Sequence, residues 1–300
     1  MPKPSSVLMT RDEYVDLVER LRASAPHQRD PQAIKEASDL VREGLVVSCG
    51  EGPAMPGIDE QVDAGSPHPY RLQQWYDEGD GWAAVNDRLD LDIHGATSMT
   101  HIDTVNHFFL GGRGFDKTIA PDLAVEALTE EALRPLTGGI VGRGILLDFP
   151  SVLGGPVQPG HAVTTEELQR CLAAERVAPK PGDILLLRFG RSGTRDSGTA
   201  LGAAGSPGLS IECAEWMAAT APCAVVTDHG MDVLPGQVEG TPAWHILLLV
   251  GLGVPLVDAA NLEALAATCA RLDRHEFFCT IAPLDIPHAS GSPVNPLAIF

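Results

Sequence analysis

Residues 140–149 read Ile140-Val141-Gly142-Arg143-Gly144-Ile145-Leu146-Leu147-Asp148-Phe149, an apolar run with β character. Short buried runs of this kind mark strands when helical patterns alternate with them. That alternation continues: further strand candidates cover 184–189, 224–227, 246–250, 254–257 and 277–281. Helices are expected after Thr164, where Glu167 completes a capping box, after Ser210, and after Asn261. The last shows Leu262, Leu265, Ala266, Cys269 and Leu272 on one face. The pattern predicts a compact mixed α/β protein and argues against an all-α or all-β one.

Towards the N-terminus, Thr10-Arg11-Asp12-Glu13 reads as a second capping box, followed by Tyr14, Leu17, Val18 and Leu21 at helical spacing. Residues 50–70, rich in Gly, Pro and Asp, read as irregular chain. Trp75, Tyr76 and Trp82 form an aromatic cluster that reads either as a packed edge of the core or as a pocket wall. The Gly-, Ser- and Ala-rich stretch 190–208 reads as a lid or as a surface excursion. No repeat or linker divides the chain. The expectation is one domain over residues 1–300, with 1–69 as an N-terminal helical and irregular extension.

An apolar fraction of 44% supplies a sizeable core, and a formal net charge of −19 argues against nucleic acid or an anionic membrane as partner. No apolar run approaches the ~18–20 residues that span a bilayer, and no signal-peptide pattern opens the chain. The six cysteines lie far apart without a Cys-x-x-Cys pair, which suits buried thiols in a reducing compartment. The cytoplasm is the expected location.

The chemistry centres on Thr100-His101-Ile102-Asp103-Thr104-Val105-Asn106-His107. On a strand, His101 and Asp103 share a face with Cα atoms about 6.5–7 Å apart, close enough for both side chains to reach one metal ion. Imidazole with carboxylate suits Zn, Mn or Fe better than Ca or Mg. His107 would lie about 20 Å away on a straight strand, so it joins the site only if the chain bends after Asp103. Later polar groups follow apolar runs: Asp228-His229-Gly230-Met231-Asp232, Trp244-His245, and Asp258. Loops at such strand ends commonly carry active sites in α/β folds. A histidine at the mouth of an apolar run also has a bland reading, as an interface residue whose hydrogen bonds are met.

These blocks resemble the cyclase family of metal-dependent hydrolases, which includes bacterial kynurenine formamidase and isatin hydrolase. The family motif His-x-Gly-Thr-His-x-Asp-x-Pro-x-His is similar to residues 97–107. Its second block resembles Pro242-Ala243-Trp244-His245 followed by Gly253-Val254-Pro255-Leu256-Val257-Asp258. The terminal Gly291-Ser292-Pro293-Val294-Asn295-Pro296 is similar to the ending of a long-chain branch. The likeness spans roughly residues 70–300. It implies a curved β-sheet core with flanking helices, and metal ligation by His101, Asp103 and His245. It further implies an acid/base role for His107, and Asp258 where relatives often carry a bridging Glu.

Three positions depart from the motif. Thr97 stands where the first histidine belongs, Met99 replaces the glycine, and Val105 replaces the proline. His94 is the one nearby imidazole that can substitute for the missing ligand. A hydroxyl is a poor ligand for a borderline metal, so the expectation is one well-occupied Zn or Mn site, with Asp258 as an outer acceptor. Trp75, Trp82 and Trp244 are candidates for a flat wall that suits a planar substrate. The expected activity is hydrolysis of an amide, lactam, lactone or ester of a small molecule, by a homo-oligomer (dimer or tetramer). Rival readings are a metal-assisted cyclase or dehydratase, and a metal-free binding protein on the same scaffold. No Gly-x-Ser-x-Gly elbow or complete dinucleotide fingerprint occurs.

Overall fold

The run at 140 does form a strand, β5 (Ile140–Asp148), and it lies inside a nine-stranded mixed sheet. The computed structural model describes residues 8–22, 30–52, 70–94, 99–115, 133–190 and 205–300. The other strands of the sheet are β1 (Val46–Ser48), β4 (His101–Asp103), β7 (Ile184–Arg188), β9 (Ala224–Thr227), β10 (Leu256–Asp258), β11 (Glu276–Ile281), β12 (Gly291–Pro293) and β13 (Leu297–Ile299). They run in the order β1-β13-β11-β5-β7-β9-β10-β4-β12. Strands β5, β7, β9 and β10 are parallel neighbours, and every other pairing within this sheet is antiparallel; β6 (Ala162–Val163) and β8 (Gly208–Leu209) form a separate parallel pair.

Parallel strands are covered on both faces, and strand β7 shows why they read as continuous apolar runs. Leu185 and Leu187 point into one core with helix α4 (Thr165–Glu175), and Ile184 and Leu186 into a second core with helix α7 (Glu263–Leu272). Both expected capping boxes are present, at Thr10 before helix α1 (Arg11–Leu21) and at Thr164 before α4. Tyr14, Leu17 and Val18 of α1 enter the first core, and β1 edges the sheet, so these two described N-terminal elements pack with the main fold.

Two segments differ from expectation. Residues 246–250 are no strand: helix α6 (Ala243–His245) continues into a π-type helix, Ile246–Leu252, with every residue buried. An all-apolar run lacks the period that separates a buried strand from a buried helix. The aromatic cluster at 75–82 belongs to a two-stranded ribbon of β2 (Tyr70–Gly79) and β3 (Trp82–Leu91), which stands apart from the large sheet. Its two-residue loop is Asp80-Gly81, with Gly81 at φ +80°. Leu72, Tyr76, Val85 and Leu89 lie on one face and Trp75 and Trp82 on the other, all of them exposed. The ribbon strands pack extensively only on each other among the described elements. No described helix is long and apolar enough to cross a membrane.

Thr97 lies outside the described residues, as do 53–69 of the irregular stretch and 191–204 of the Gly-rich one.

Candidate metal centre

Strand β4 is wedged between β10 and β12, and all three of its residues are buried. Ile102 points into the second core, which turns His101 and Asp103 together to the opposite face. The register sets Asp258 of β10 opposite His101, at the C-terminal end of a parallel strand. After Asp103 the chain bends without the motif proline: the His107 backbone N–H donates to Thr104 O at 2.9 Å. That turn returns His107 to the site.

Asp103 is the hub. Its Oδ1 lies 2.9 Å from His94 Nδ1 and 3.5 Å from His101 Nε2, while its Oδ2 lies 3.7 Å from His245 Nε2 and 3.8 Å from His107 Nε2. His245 Nε2 is also 3.0 Å from Asp258 Oδ2. The rings of His94 and His107 stack, with centroids 3.9 Å apart and planes 12° from parallel. Phe108 packs edge-on against His107 and tilts against His245. A Cβ on Gly291 would come within 2.5 Å of His94 Cε1, so the glycine of β12 leaves the space that this ring fills.

Outer hydrogen bonds aim three of the imidazoles. Nδ1 of His101 sits 2.9 Å from Met99 O, Nε2 of His94 sits 3.1 Å from Ser290 Oγ, and Nδ1 of His245 sits 2.5 Å from Asp232 Oδ2. A carbonyl or carboxylate partner accepts, so the anchored nitrogen of His101 and of His245 carries a proton, and the inward nitrogen is the one that would bind a metal. His107 has no such outer anchor among the described residues.

Electrostatics agree with the geometry. Burial pushes the Asp103 carboxyl up, but the close His94 and the nearby His107, His101 and His245 together hold it below its ordinary value. Burial pushes His107 down to about 4, which keeps the ring neutral at pH 7. Burial also works against charge on His245, but Asp258 and Asp232 outweigh it and raise its pKa.

Two sets of ligand atoms lie within 4.8 Å of one another, His94 with Asp103 and His107, and His101 with Asp103 and Asp258. Nδ1 of His94 and Oδ1 of Asp103 are buried and close, yet neither makes a hydrogen bond of acceptable geometry among the described residues. Lone pairs that converge without bonding one another suit a cation, so the donor set fits a divalent metal.

The sequence-expected residues His94, His101, Asp103, His107, His245 and Asp258 therefore meet in one place. Trp244 does not line it. Only 1% exposed, it packs in the core with its indole N–H donating to Leu209 O. Trp75 and Trp82 stay on the ribbon, 47% and 57% exposed, and no described contact joins them to the histidines. The sequence does not single out Phe108, and marks Asp232 only as part of a polar strand-end loop. The first carried no signal beyond its place after His107, and the second closes the Asp228–Asp232 strand-end loop.

A mixed α/β sheet thus carries a buried His/Asp cluster with the donors for a divalent metal at a strand end. The sequence matches the putative cyclase family over residues 55–232, and the chain belongs to that family. A novel cyclase of solved structure shares 23% identity, with a TM-score of 0.73 over 91% of this chain and 94% of that one. An isatin hydrolase bound to the product analogue thioisatinate has 19% identity and a TM-score of 0.57, covering 91% and 99% of the two chains. Isatin hydrolase A from Ralstonia solanacearum gives 19% and 0.55, covering 92% and 98%. At these identities the likeness shows the fold, which is shared by metal-dependent hydrolases and cyclases. No curated protein matches the sequence.

Proposed function

We propose that the chain is a metal-dependent hydrolase that opens an amide, lactam, lactone or ester bond of a small molecule. One observation carries this reading: the buried Asp103 carboxylate faces four imidazoles, with Asp258 beside them. His101, Asp103 and Asp258, with His245 alongside, would hold one Zn or Mn ion, donors that suit either metal. Two carboxylates balance a single divalent charge, which favours one well-occupied ion over two. Bound there, the ion would supply a Lewis acid to polarise a carbonyl and make a water more acidic.

The protein's own residues do the rest. Neutral His107 takes a proton at Nε2 from the attacking water and returns it to the departing nitrogen or oxygen. His94, stacked on it, holds the ring parallel and stands ready as a further ligand. Phe108 supplies an apolar surface beside His107 and His245. Hydrolysis of an aromatic lactam is supported by the isatin hydrolases among the structural neighbours. Metal-assisted cyclisation or dehydration is the second reading, supported by the neighbour described as a cyclase.

The chain acts as one domain over residues 1–300, a reading supported by the pairing of N-terminal β1 with C-terminal β13 in the same sheet. Free thiols at all six cysteines support a reducing, cytoplasmic setting. The uncovered ribbon supports a homo-oligomer. The test of function is incubation of the metal-loaded chain with a panel of aromatic lactams, lactones, esters and formamides, read by mass spectrometry. Metal-dependent gain of one water is expected. Loss of water, or an isomer of unchanged mass, would favour the second reading over hydrolysis.

A further inference from the structure

We infer that Asp232 is a positioning residue that fixes the orientation and tautomer of His245. The inference rests on the reading of His245 as part of the metal centre.

Asp232 comes from the loop after β9, held rigidly because its neighbours Met231 and Val233 are buried. Its two oxygens do different work. Oδ1 accepts the backbone N–H of Trp244 at 2.7 Å, and Oδ2 faces Nδ1 of His245 at 2.5 Å. The first contact meets an N–H donor in the opening turn of helix α6, where helices lack internal partners. The second decides which way the imidazole presents itself. A carboxylate only accepts, so Nδ1 must carry a proton. Nε2 is then the nitrogen turned to Asp258 and Asp103, 3.0 Å and 3.7 Å away, and the one that would bind a metal in place of its hydrogen bond to Asp258. Tyr14 backs the arrangement from α1, its hydroxyl donating to Ala243 O in the same turn. One carboxylate thus ties helix position to ring orientation. His101 solves the same problem differently, with a backbone carbonyl as its acceptor.

Asp232→Asn separates the two duties. Its amide oxygen can still accept from Trp244. Its NH2 would then face His245 Nδ1 and, as a donor, favour the lone pair there and the proton on Nε2. That is the wrong tautomer for binding through Nε2. Loss of an outer carboxylate of this kind costs about 10–100-fold in metal affinity.

The experiment is a Zn2+ affinity measurement by chelator competition on wild type, Asp232→Asn, His245→Ala and the double variant, with histidine 15N spectra of the Zn-loaded wild type. The expected result is a loss of about 10–100-fold in Asp232→Asn with cooperative unfolding retained, and no further loss when it is added to His245→Ala. The wild-type spectra should show His245 protonated at Nδ1 and metallated at Nε2, a readout that stands even if the variant does not fold. Unchanged affinity in Asp232→Asn, an equal loss in the His245→Ala background, or a proton on Nε2 overturns the role of Asp232 alone. A wild type that binds no Zn2+ overturns the metal reading together with it.

Discussion

Asp258 and His101 face each other across the antiparallel β10–β4 pair, so two strands distant in sequence present a carboxylate and an imidazole on adjoining positions. Directly opposed side chains have Cβ atoms about 4.5–5.5 Å apart. This placement brings Asp258 among the ligand atoms, where reach alone, one methylene short of Glu, suggests an outer role. Asp258→Asn should therefore cost more metal affinity than the ~10–100-fold typical of an outer partner. Chelator competition measures it, and a smaller loss would return Asp258 to the outer role.

His107 sits at the end of a turn, neutral and without an outer anchor, while the other three imidazoles are tethered. His107→Asn should retain metal and lose rate by about 10²–10⁴, the usual share of general acid–base catalysis. The pair of readings to compare is metal content and turnover on whichever substrate the panel identifies. Loss of metal in this variant would make His107 a ligand together with His94 and Asp103.

The β2–β3 ribbon exposes Tyr76 at 72%, with Val85 beside it in register and Leu72 opposite Leu89. An isolated two-stranded hairpin is marginal in water, and exposed apolar patches of this kind mark interaction sites. Replacing Tyr76 and Val85 by Asp should convert an oligomer into single chains, read by light scattering coupled to size exclusion. A wild type that is already one chain contradicts the oligomer, and a double variant that keeps the oligomer's mass contradicts the ribbon as its interface.

Away from the site, Glu175 lies buried at the end of α4, its Oε1 accepting the Asp148 N–H at 2.6 Å. Burial raises its pKa from 4.5 to about 8. The folded chain thus holds this proton where the unfolded chain has released it. Stability is fully present below about pH 4.5 and falls as pH rises towards 8. Glu175→Gln should flatten that slope and stabilise the fold at pH 8.5 by ~1–3 kcal/mol, measured by urea denaturation at both ends of the range.

Much of this was readable beforehand because the parallel strands bury both faces and so stand out as apolar runs between capped helices. Thr10 and Thr164 marked helix starts through local hydrogen bonds that need no tertiary context. The run at 246 could not be read the same way, since burial on all sides erases periodicity. The ribbon was not legible because large apolar residues stand on both of its faces, Tyr76 and Val85 on one and Trp75 and Trp82 on the other, so it lacks the one-sided alternation of a half-buried strand. At the site, strand parity paired His101 with Asp103, but the contacts of Asp258, Ser290 and Asp232 depend on register and distant loops. His94 stands outside the motif register and reaches Asp103 because Gly291 makes room for its ring.

Whether this cluster holds a metal is tested most directly by the metal-to-chain ratio of protein purified without added metal, for wild type and Asp103→Ala. A ratio near one of Zn or Mn is expected in wild type and near zero in a folded Asp103→Ala. A wild type without metal, or a ratio that survives the loss of Asp103, would contradict the metal centre.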